Sequence, residues 1–88
     1  MYKIEYAKGV AKDLQKLPQA VKAKALHLVE QVLISNPHAG KPLHGLYKGL
    51  WKYRLGDYRI IYAIEAKRLV IFVLRIRHRK NVYQGITF

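Results

Sequence analysis

Cations and tyrosines interrupt two apolar segments of this chain, residues 51–62 and 77–83. If these segments belong to β-strands, alternate side chains point to opposite faces of the sheet, because the side-chain period of a strand is two. On the last strand, the apolar set opposite the cations is Val70, Phe72, Leu74 and Ile76. The cations that the alternation assigns to one shared face are Lys52, Arg54, Arg59, Arg75, Arg77 and Arg79. Six cations on one side of a small sheet predict a surface that binds phosphate groups.

The overall charge of the chain points to the same class of ligand. Seventeen Lys and Arg residues stand against five Asp and Glu, which gives a formal charge of +12 in 88 residues. A field of this sign attracts polyanions, so the candidate partners are nucleic acid, an anionic membrane surface or an acidic protein. A high isoelectric point alone also fits passive RNA-binding proteins. Among these partners we expect nucleic acid.

Several function classes are excluded or disfavoured by what the sequence lacks. It contains no Cys, which excludes a disulfide framework, a zinc–thiolate site and a thiol nucleophile. The N-terminus lacks the apolar core of a signal peptide, and the longest apolar stretch, residues 69–74, is far too short to cross a bilayer. The histidines do not have the spacing of metal ligands. We therefore expect a cytoplasmic protein that uses no membrane, no metal and no other cofactor.

The elements that must position the cations follow from hydrophobic periodicity. Apolar and polar residues alternate over 2–6, which predicts a short strand, and helical spacing then predicts helices over 7–17 and about 19–34. An ordered loop over 38–49 precedes predicted strands at 50–55, 58–65 and 69–77. The predicted fold is α+β, a single domain over residues 1–88 with the order β-α-α-β-β-β. A helical hairpin packs on one face of a small, mainly antiparallel sheet and leaves the cationic face open.

This order of elements, together with four motifs, resembles the RelE/ParE toxin superfamily and looks closest to its RelE branch. The motifs are Asn36-Pro37 after the second helix, Leu43-x-Gly45 in the loop, the 51–62 segment with its Gly-Asp-Tyr-Arg core, and His78-Arg79-x-x-Val82-Tyr83. The resemblance covers nearly the whole chain and implies the toxin of a type II toxin–antitoxin system. RelE-like members cleave mRNA in the ribosomal A site, whereas ParE-like members inhibit DNA gyrase without nuclease chemistry.

Matched position by position, the resemblance implies a catalytic set. Its members are Lys52, Arg54, Arg59, Arg79 and Tyr83. Arg54 stands where the best-known RelE-like members have Lys, which keeps the charge but removes a realistic proton acceptor. ParE-like chains usually lack this full set, so its presence favours the endoribonuclease. A gyrase inhibitor and a passive RNA-binding protein remain the alternatives.

These residue types suit metal-independent RNA cleavage in which the 2′-hydroxyl is the nucleophile. The reaction needs a base for the 2′-proton, cations near the developing phosphorane charge, and an acid for the leaving oxygen. Arg54 and Arg59 suit charge stabilisation because a guanidinium stays protonated and matches phosphate oxygens. Lys52 is the candidate base, and Arg79 is a further electrostatic group. Tyr83 can stack on a base or orient the 2′-hydroxyl.

Other residues near the C-terminus have predicted roles as well. His78 is a candidate acid–base group, but strand parity puts it with Ile76 on the core side, which favours a structural or supporting role. The residues predicted to bind RNA phosphates are Arg75, Arg77 and Lys80. The expected macromolecular partners are an acidic antitoxin, which complements the charge of the chain, and the A site of the small ribosomal subunit with its mRNA.

Overall fold

The fold is given by a computed structural model that describes residues 2–83. Its strands are β1 (Lys3–Tyr6), β2 (Lys41–Pro42), β3 (Trp51–Leu55), β4 (Tyr58–Glu65) and β5 (Val70–His78). Its helices are α1 (Val10–Gln15) and α2 (Gln19–His27), and α2 continues directly into a π-helical segment, Leu28–Leu33. The predicted α+β class and helical hairpin are confirmed. The short β2 lies within the predicted loop over 38–49 and was not expected.

The five strands form one sheet in the order β1-β5-β4-β3-β2. Neighbours from β2 to β5 are antiparallel, whereas β1 lies parallel to β5. At both ends of the sheet the outer strand is shorter than its neighbour. β1 pairs with β5 only from Val70 to Val73, and β2 pairs with β3 only at Trp51 and Lys52. The remainder of β5 and of β3 therefore presents a sheet edge, and both edges bear on the candidate site.

Two prolines set the limits of the second helix. Pro18 precedes α2 with a φ of −54°, and its carbonyl accepts the Lys22 amide at 2.9 Å. In the π-helical segment the Ile34 amide donates to the Val29 carbonyl at 3.3 Å, a bond across five residues. Pro37 then begins a 3-10 turn, Pro37–Ala39. The helix thus ends where the proline predicts, and the chain turns back towards the sheet.

The helices cover one face of the sheet and form the main core with it. The buried residues of this core are Val10, Ala25, Leu28, Val29, Leu33, Ile60, Tyr62, Ile71, Val73 and Ile76. Trp51 and Tyr53 pack against this core. Full burial of a side chain such as Leu33 or Ile60 contributes roughly 1.5–3 kcal/mol each. This layer fixes the backbone positions of β4 and β5, from which the cations of these strands project.

The opposite face is partly covered, so the prediction of an open cationic face is wrong in this respect. A second, smaller cluster forms there around three buried residues, Leu50, Ile61 and Val82. Its partly buried members are Leu43, Tyr47, Ala63, Leu74 and Tyr83. Chain segments that precede β3 and follow β5 supply most of it. We call it the outer cluster.

The predicted alternation along β5 is also wrong in its first half, because the strand contains a β-bulge. Ile61 pairs with Arg75 but Tyr62 pairs with Val73, which leaves Leu74 unmatched. A bulge shifts the side-chain period by one residue. As a result Val73 faces the helices with Ile76, while Leu74 joins the outer cluster.

Candidate functional site

By register, five of the predicted cations lie on the sheet face that carries the outer cluster: Lys52, Arg54 and Arg59 of the β3–β4 hairpin, and Arg75 and Arg77 of β5, which pair with Ile61 and Arg59. Residues paired across antiparallel strands project from the same face. Lys52 of β3 pairs with Ile61, an outer-cluster residue, and Arg54 pairs with Arg59 of β4. The Gly56-Asp57 turn between the strands fixes this register. The hairpin therefore holds these three cations side by side.

Arg59 is held by the turn of its own hairpin. Its Nη1 donates to the carbonyl oxygens of Gly56 at 2.7 Å and Tyr58 at 2.9 Å. Gly56 has a φ of +59°, a left-handed conformation that glycine adopts without strain. Within residues 2–83, Nη1 makes both of these bonds, so the N–H groups of Nε and Nη2 can donate to a ligand. The guanidinium is thus oriented before any phosphate binds.

Arg75 and Arg77, predicted to bind phosphate, contact a carboxylate of α1. Asp13 is 3% exposed, and its Oδ1 accepts from Arg77 Nε at 2.8 Å and lies 3.6 Å from Arg75 Nη1. Its Oδ2 accepts the Ile76 amide at 3.2 Å, at the edge of β5 that continues past β1. Both arginines are about one-fifth exposed. The single Asp13 carboxylate offsets part of the charge of the two guanidinium groups, and RNA binding by them stays a prediction.

Asp13 was missed by reasoning from the sequence. The signal was present, since this is the single acidic residue of α1 and it lies one helical turn after Val10 and next to Leu14, inside the apolar stripe. A carboxylate at a buried helical position needs a cationic partner. Its partners lie 62 to 64 residues further along the chain, so only the folded structure identifies them.

The chain beyond β5 positions Arg79 against the β3–β4 turn. The Arg79 amide donates to the Asp57 carbonyl at 2.8 Å, and Arg79 Nε lies 4.0 Å from Asp57 Oδ1. Both side chains are more than half exposed, so this ion pair is weak and open to exchange with a ligand. Arg79 therefore lies at the same end of the sheet as Arg54 and Arg59. Lys80 is exposed beside it.

His78 lies on the helix-covered face, as strand parity predicts. It pairs with Tyr58, and the two rings meet edge to face with centroids 5.4 Å apart. Its Nδ1 accepts the Lys80 amide at 3.2 Å. It lines a cavity of about 260 Å³ that Asp13 and Arg77 also line. This position separates His78 from Lys52 and favours the supporting role.

Tyr83 belongs to the outer cluster. Its ring stacks on Tyr47 with centroids 4.7 Å apart and planes at 23°. The same cluster contains Ile61, the cross-strand partner of Lys52. Tyr83 therefore lies on the face that carries Lys52, Arg54 and Arg59.

A cleft of about 340 Å³ adjoins these cations at the edge of β3, where β2 ends. It is lined by Ala39, Gly40, Lys41, Lys52, Tyr53, Arg54 and Arg59. None of these lining residues, all within 2–83, is acidic. Lys41 was not among the predicted site residues, because its segment was read as loop.

Residues 2–83 contain no group of three or more His, Asp or Glu arranged to hold a metal ion. The same residues also contain no helix long and apolar enough to cross a membrane.

Comparison with known proteins identifies several that are similar to this chain. The family described as ParE toxin of type II toxin–antitoxin system, parDE, matches residues 4–83. Toxin RelE of Mycobacterium tuberculosis is 36% identical over 84 residues, which covers 94% of this chain and 87% of that protein. Toxin RelG of the same organism is 30% identical over 84 residues, with 94% and 97% covered.

Solved structures show the same likeness. The toxin–antitoxin complex RelBE2 from Mycobacterium tuberculosis contains a chain that matches with a TM-score of 0.83 and 30% identity, covering 89% of this chain and 98% of that one. The archaeal RelE–RelB complex from Pyrococcus horikoshii matches with a TM-score of 0.67 and 33% identity, covering 89% and 94%.

Proposed function

The chain belongs to the ParE toxin family of type II toxin–antitoxin systems, and we propose that it acts as a ribosome-dependent endoribonuclease that cleaves mRNA in the A site. One observation carries the proposal: Lys52, Arg54 and Arg59 share a sheet face with Tyr83. A protein that only blocked its target by charge would not need an aromatic side chain on the same face as the registered cations.

In the proposed reaction the 2′-oxygen of the substrate forms a bond to the adjacent phosphorus and the bond from phosphorus to the 5′-oxygen breaks. The products are a 2′,3′-cyclic phosphate and a 5′-hydroxyl. The 2′-proton leaves to a base, for which Lys52 is the candidate, and the 5′-oxygen takes up a proton. The nucleophile belongs to the RNA, so the chemistry requires no metal-bound water.

Arg54 and Arg59 stabilise the negative charge of the phosphorane. A charge-stabilising group is most effective when it is oriented before the reaction. Arg59 meets this condition through its two bonds to turn carbonyls, at 2.7 and 2.9 Å. Arg54, its cross-strand neighbour, is exposed and can follow the phosphate. Arg79 adds a third guanidinium at the same end of the sheet.

Tyr83 and the ribosome supply positioning. Stacking on Tyr47 holds the Tyr83 ring on the cationic face, where it can stack on a base or orient the 2′-hydroxyl. His78, the histidine predicted as an acid–base candidate, lies on the other face of the sheet from Lys52. Because the proposed set assigns no histidine to acid–base chemistry, alignment of the mRNA by the ribosome has to provide much of the rate.

The proposed inhibitor is an acidic antitoxin. RelB antitoxins are the partners named in the complexes from Mycobacterium tuberculosis and Pyrococcus horikoshii. A charge of +12 favours rapid, salt-sensitive association with an acidic chain. The antitoxin would inhibit the toxin in either of two ways. It could cover Arg54, Arg59 and Arg79, or it could make the complex too large to enter the A site.

Inhibition of DNA gyrase is the second candidate, because the family that matches residues 4–83 is the ParE family. This function requires no chemistry at Lys52 or Tyr83. The two candidates predict different damage: cut mRNA in one case and stalled gyrase on cleaved DNA in the other.

The deciding experiment adds the purified chain to ribosomes programmed with a defined mRNA and maps the new RNA ends. We expect cuts at the codon in the A site, with a 5′-hydroxyl on the downstream fragment. Lys67→Ala is a matched charge control because Lys67 is exposed in the turn between β4 and β5, remote from the β3–β4 turn. Intact mRNA together with gyrase poisoning in a parallel assay, or equally fast cleavage of mRNA without ribosomes, would overturn the proposal.

A further inference from the structure

A buried tyrosine, Tyr62 of β4, holds residues 37–40 against the sheet by hydrogen bonds. The Tyr62 hydroxyl donates to the Pro37 carbonyl at 2.7 Å and accepts the Gly40 amide at 3.1 Å. Tyr62 is 0% exposed, and burial raises the pKa of its phenol, so the hydroxyl stays a donor at neutral pH. His38 also contacts Trp51 edge to face, with ring centroids 5.0 Å apart. The segment is thus anchored at several points.

Gly40 brings the anchored segment into close contact with β3. A Cβ at this position would collide with the Lys52 carbonyl oxygen and the Tyr62 hydroxyl. The residue needs no unusual φ, since its φ is −79°, so the small size of glycine is what matters here. The next residue, Lys41, enters β2 directly opposite Lys52.

This arrangement sets two pairs of like charges side by side. Lys41 pairs with Lys52, and Arg54 pairs with Arg59. Like charges directly opposite one another on a sheet are unfavourable, and none of the residues that line their common cleft is acidic. A bound anion would remove the repulsion. The cleft, at about 340 Å³, lies within the range of ligand sites.

We propose that this cleft is a second phosphate subsite, in which Lys41 holds the RNA phosphodiester next to the one that is cut and Tyr62 acts as the positioning residue for Lys41. The inference rests on the endoribonuclease function proposed above, and it adds Lys41, Gly40 and Tyr62 to the site. Lys52 then borders both phosphates. The subsite binds single-stranded RNA through its backbone, without reading the base.

The test measures binding without cleavage. The probe is a fluorescent eight-nucleotide RNA with 2′-O-methyl groups, which cannot undergo 2′-hydroxyl attack, and its affinity is measured across a salt series. We expect Lys41→Ala to bind about fivefold more weakly and to lose about 0.7 from the slope of log affinity against log salt, the value for one phosphate contact on a single strand. Lys67→Ala removes the same charge at a remote turn and should leave both unchanged.

Tyr62→Phe separates positioning from charge. It keeps the buried ring but removes both hydrogen bonds to the segment, and its folding can be checked by thermal melting. If Tyr62 positions Lys41, the Lys41→Ala substitution should cost clearly less affinity in the Tyr62→Phe background than in the wild-type chain. Equal costs in the two backgrounds would refute the role of Tyr62.

The subsite and the nuclease can fail separately. If the wild-type chain cuts mRNA on ribosomes while Lys41→Ala and Lys67→Ala bind and cut alike, the subsite is refuted and the nuclease stands. Absence of binding of the probe by the wild-type chain at low salt would also refute the subsite. Absence of cleavage by the wild-type chain on programmed ribosomes would instead refute the nuclease.

Discussion

Removing the Asp13 carboxylate should be among the most damaging single changes to the stability of this protein. Asp13 accepts from Arg77 Nε at 2.8 Å and from the Ile76 amide at 3.2 Å, and Arg75 Nη1 lies 3.6 Å away. Replacement by Ala removes the Asp13 carboxylate from the surroundings of two cations and of one backbone donor. Breaking a buried pair in this way costs about 3–5 kcal/mol. Because both arginines are about one-fifth exposed and can reach water, we expect the lower end, about 3 kcal/mol.

Asp13→Asn divides this cost into its parts. The amide keeps one oxygen, which can still accept from Ile76, but removes the charge that both arginines face. We expect a loss of about 2 kcal/mol, since hydrogen bonds to charged groups contribute about 1.5–3 kcal/mol. Asp57→Ala is the control: Asp57 is 68% exposed and 4.0 Å from Arg79, and should cost at most about 0.5 kcal/mol.

Urea unfolding and thermal melting both measure these losses. In a domain of this size each kcal/mol lowers the melting temperature by about 4–8 °C, so Asp13→Ala should melt at least ~12 °C below the wild-type chain. The order of stability should be wild type, Asp57→Ala, Asp13→Asn and Asp13→Ala. If Asp13→Ala had the same melting temperature as Asp57→Ala, the Asp13 carboxylate would not stabilise the edge of β5, and this prediction would be refuted.

Three further predictions concern the site and its supports. Arg59→Ala and Arg79→Ala should each lose about 2–4 kcal/mol of transition-state stabilisation in single-turnover cleavage on ribosomes. Their affinity for the ribosome should change much less. If the variants bound ribosomes weakly but cleaved normally once bound, the two arginines would serve binding alone. The raised pKa of Tyr62, due to burial, means that the contribution of Tyr62 to stability is constant below the ordinary tyrosine pKa of 10.0 and falls as pH rises beyond it. Urea unfolding against pH should show this fall, and Tyr62→Phe should reduce it. Tyr47→Ala removes a ring stack worth about 0.5–1.5 kcal/mol and should slow cleavage, because the Tyr83 ring is no longer held in place. Tyr47→Phe keeps the stacked ring and should cleave at the wild-type rate. Equal cleavage rates for the two variants would argue against a role for Tyr83.

The cationic hairpin could be predicted well because its structure is local. Strands were predicted at 50–55 and 58–65, and they occur at Trp51–Leu55 and Tyr58–Glu65. A two-residue turn fixes which residues pair, and a period of two then fixes which side chains share a face. The common face of Lys52, Arg54 and Arg59 follows from these two facts alone.

The partners of the other cations could not be predicted from local pattern. Strand parity grouped Arg75 and Arg77 with the hairpin cations, yet their guanidinium groups contact Asp13, whose position depends on how α1 packs against the edge of β5. Parity also failed at Leu74, because the bulge appears only when β5 pairs with β4.

The sequence by itself determined the α+β class, the hairpin of cations, the sign of the charge and the resemblance to a toxin superfamily, because each depends on composition or on neighbours a few residues apart. The tertiary structure decided which of the predicted cations contact the buried Asp13 carboxylate. It joined Asp13 to Arg77 across 64 residues, Tyr62 to Pro37 across 25, and Lys41 to Lys52 through a two-residue strand. Contacts of this kind form only when separate elements pack on one core, and their energies depend on burial that no local window of sequence contains.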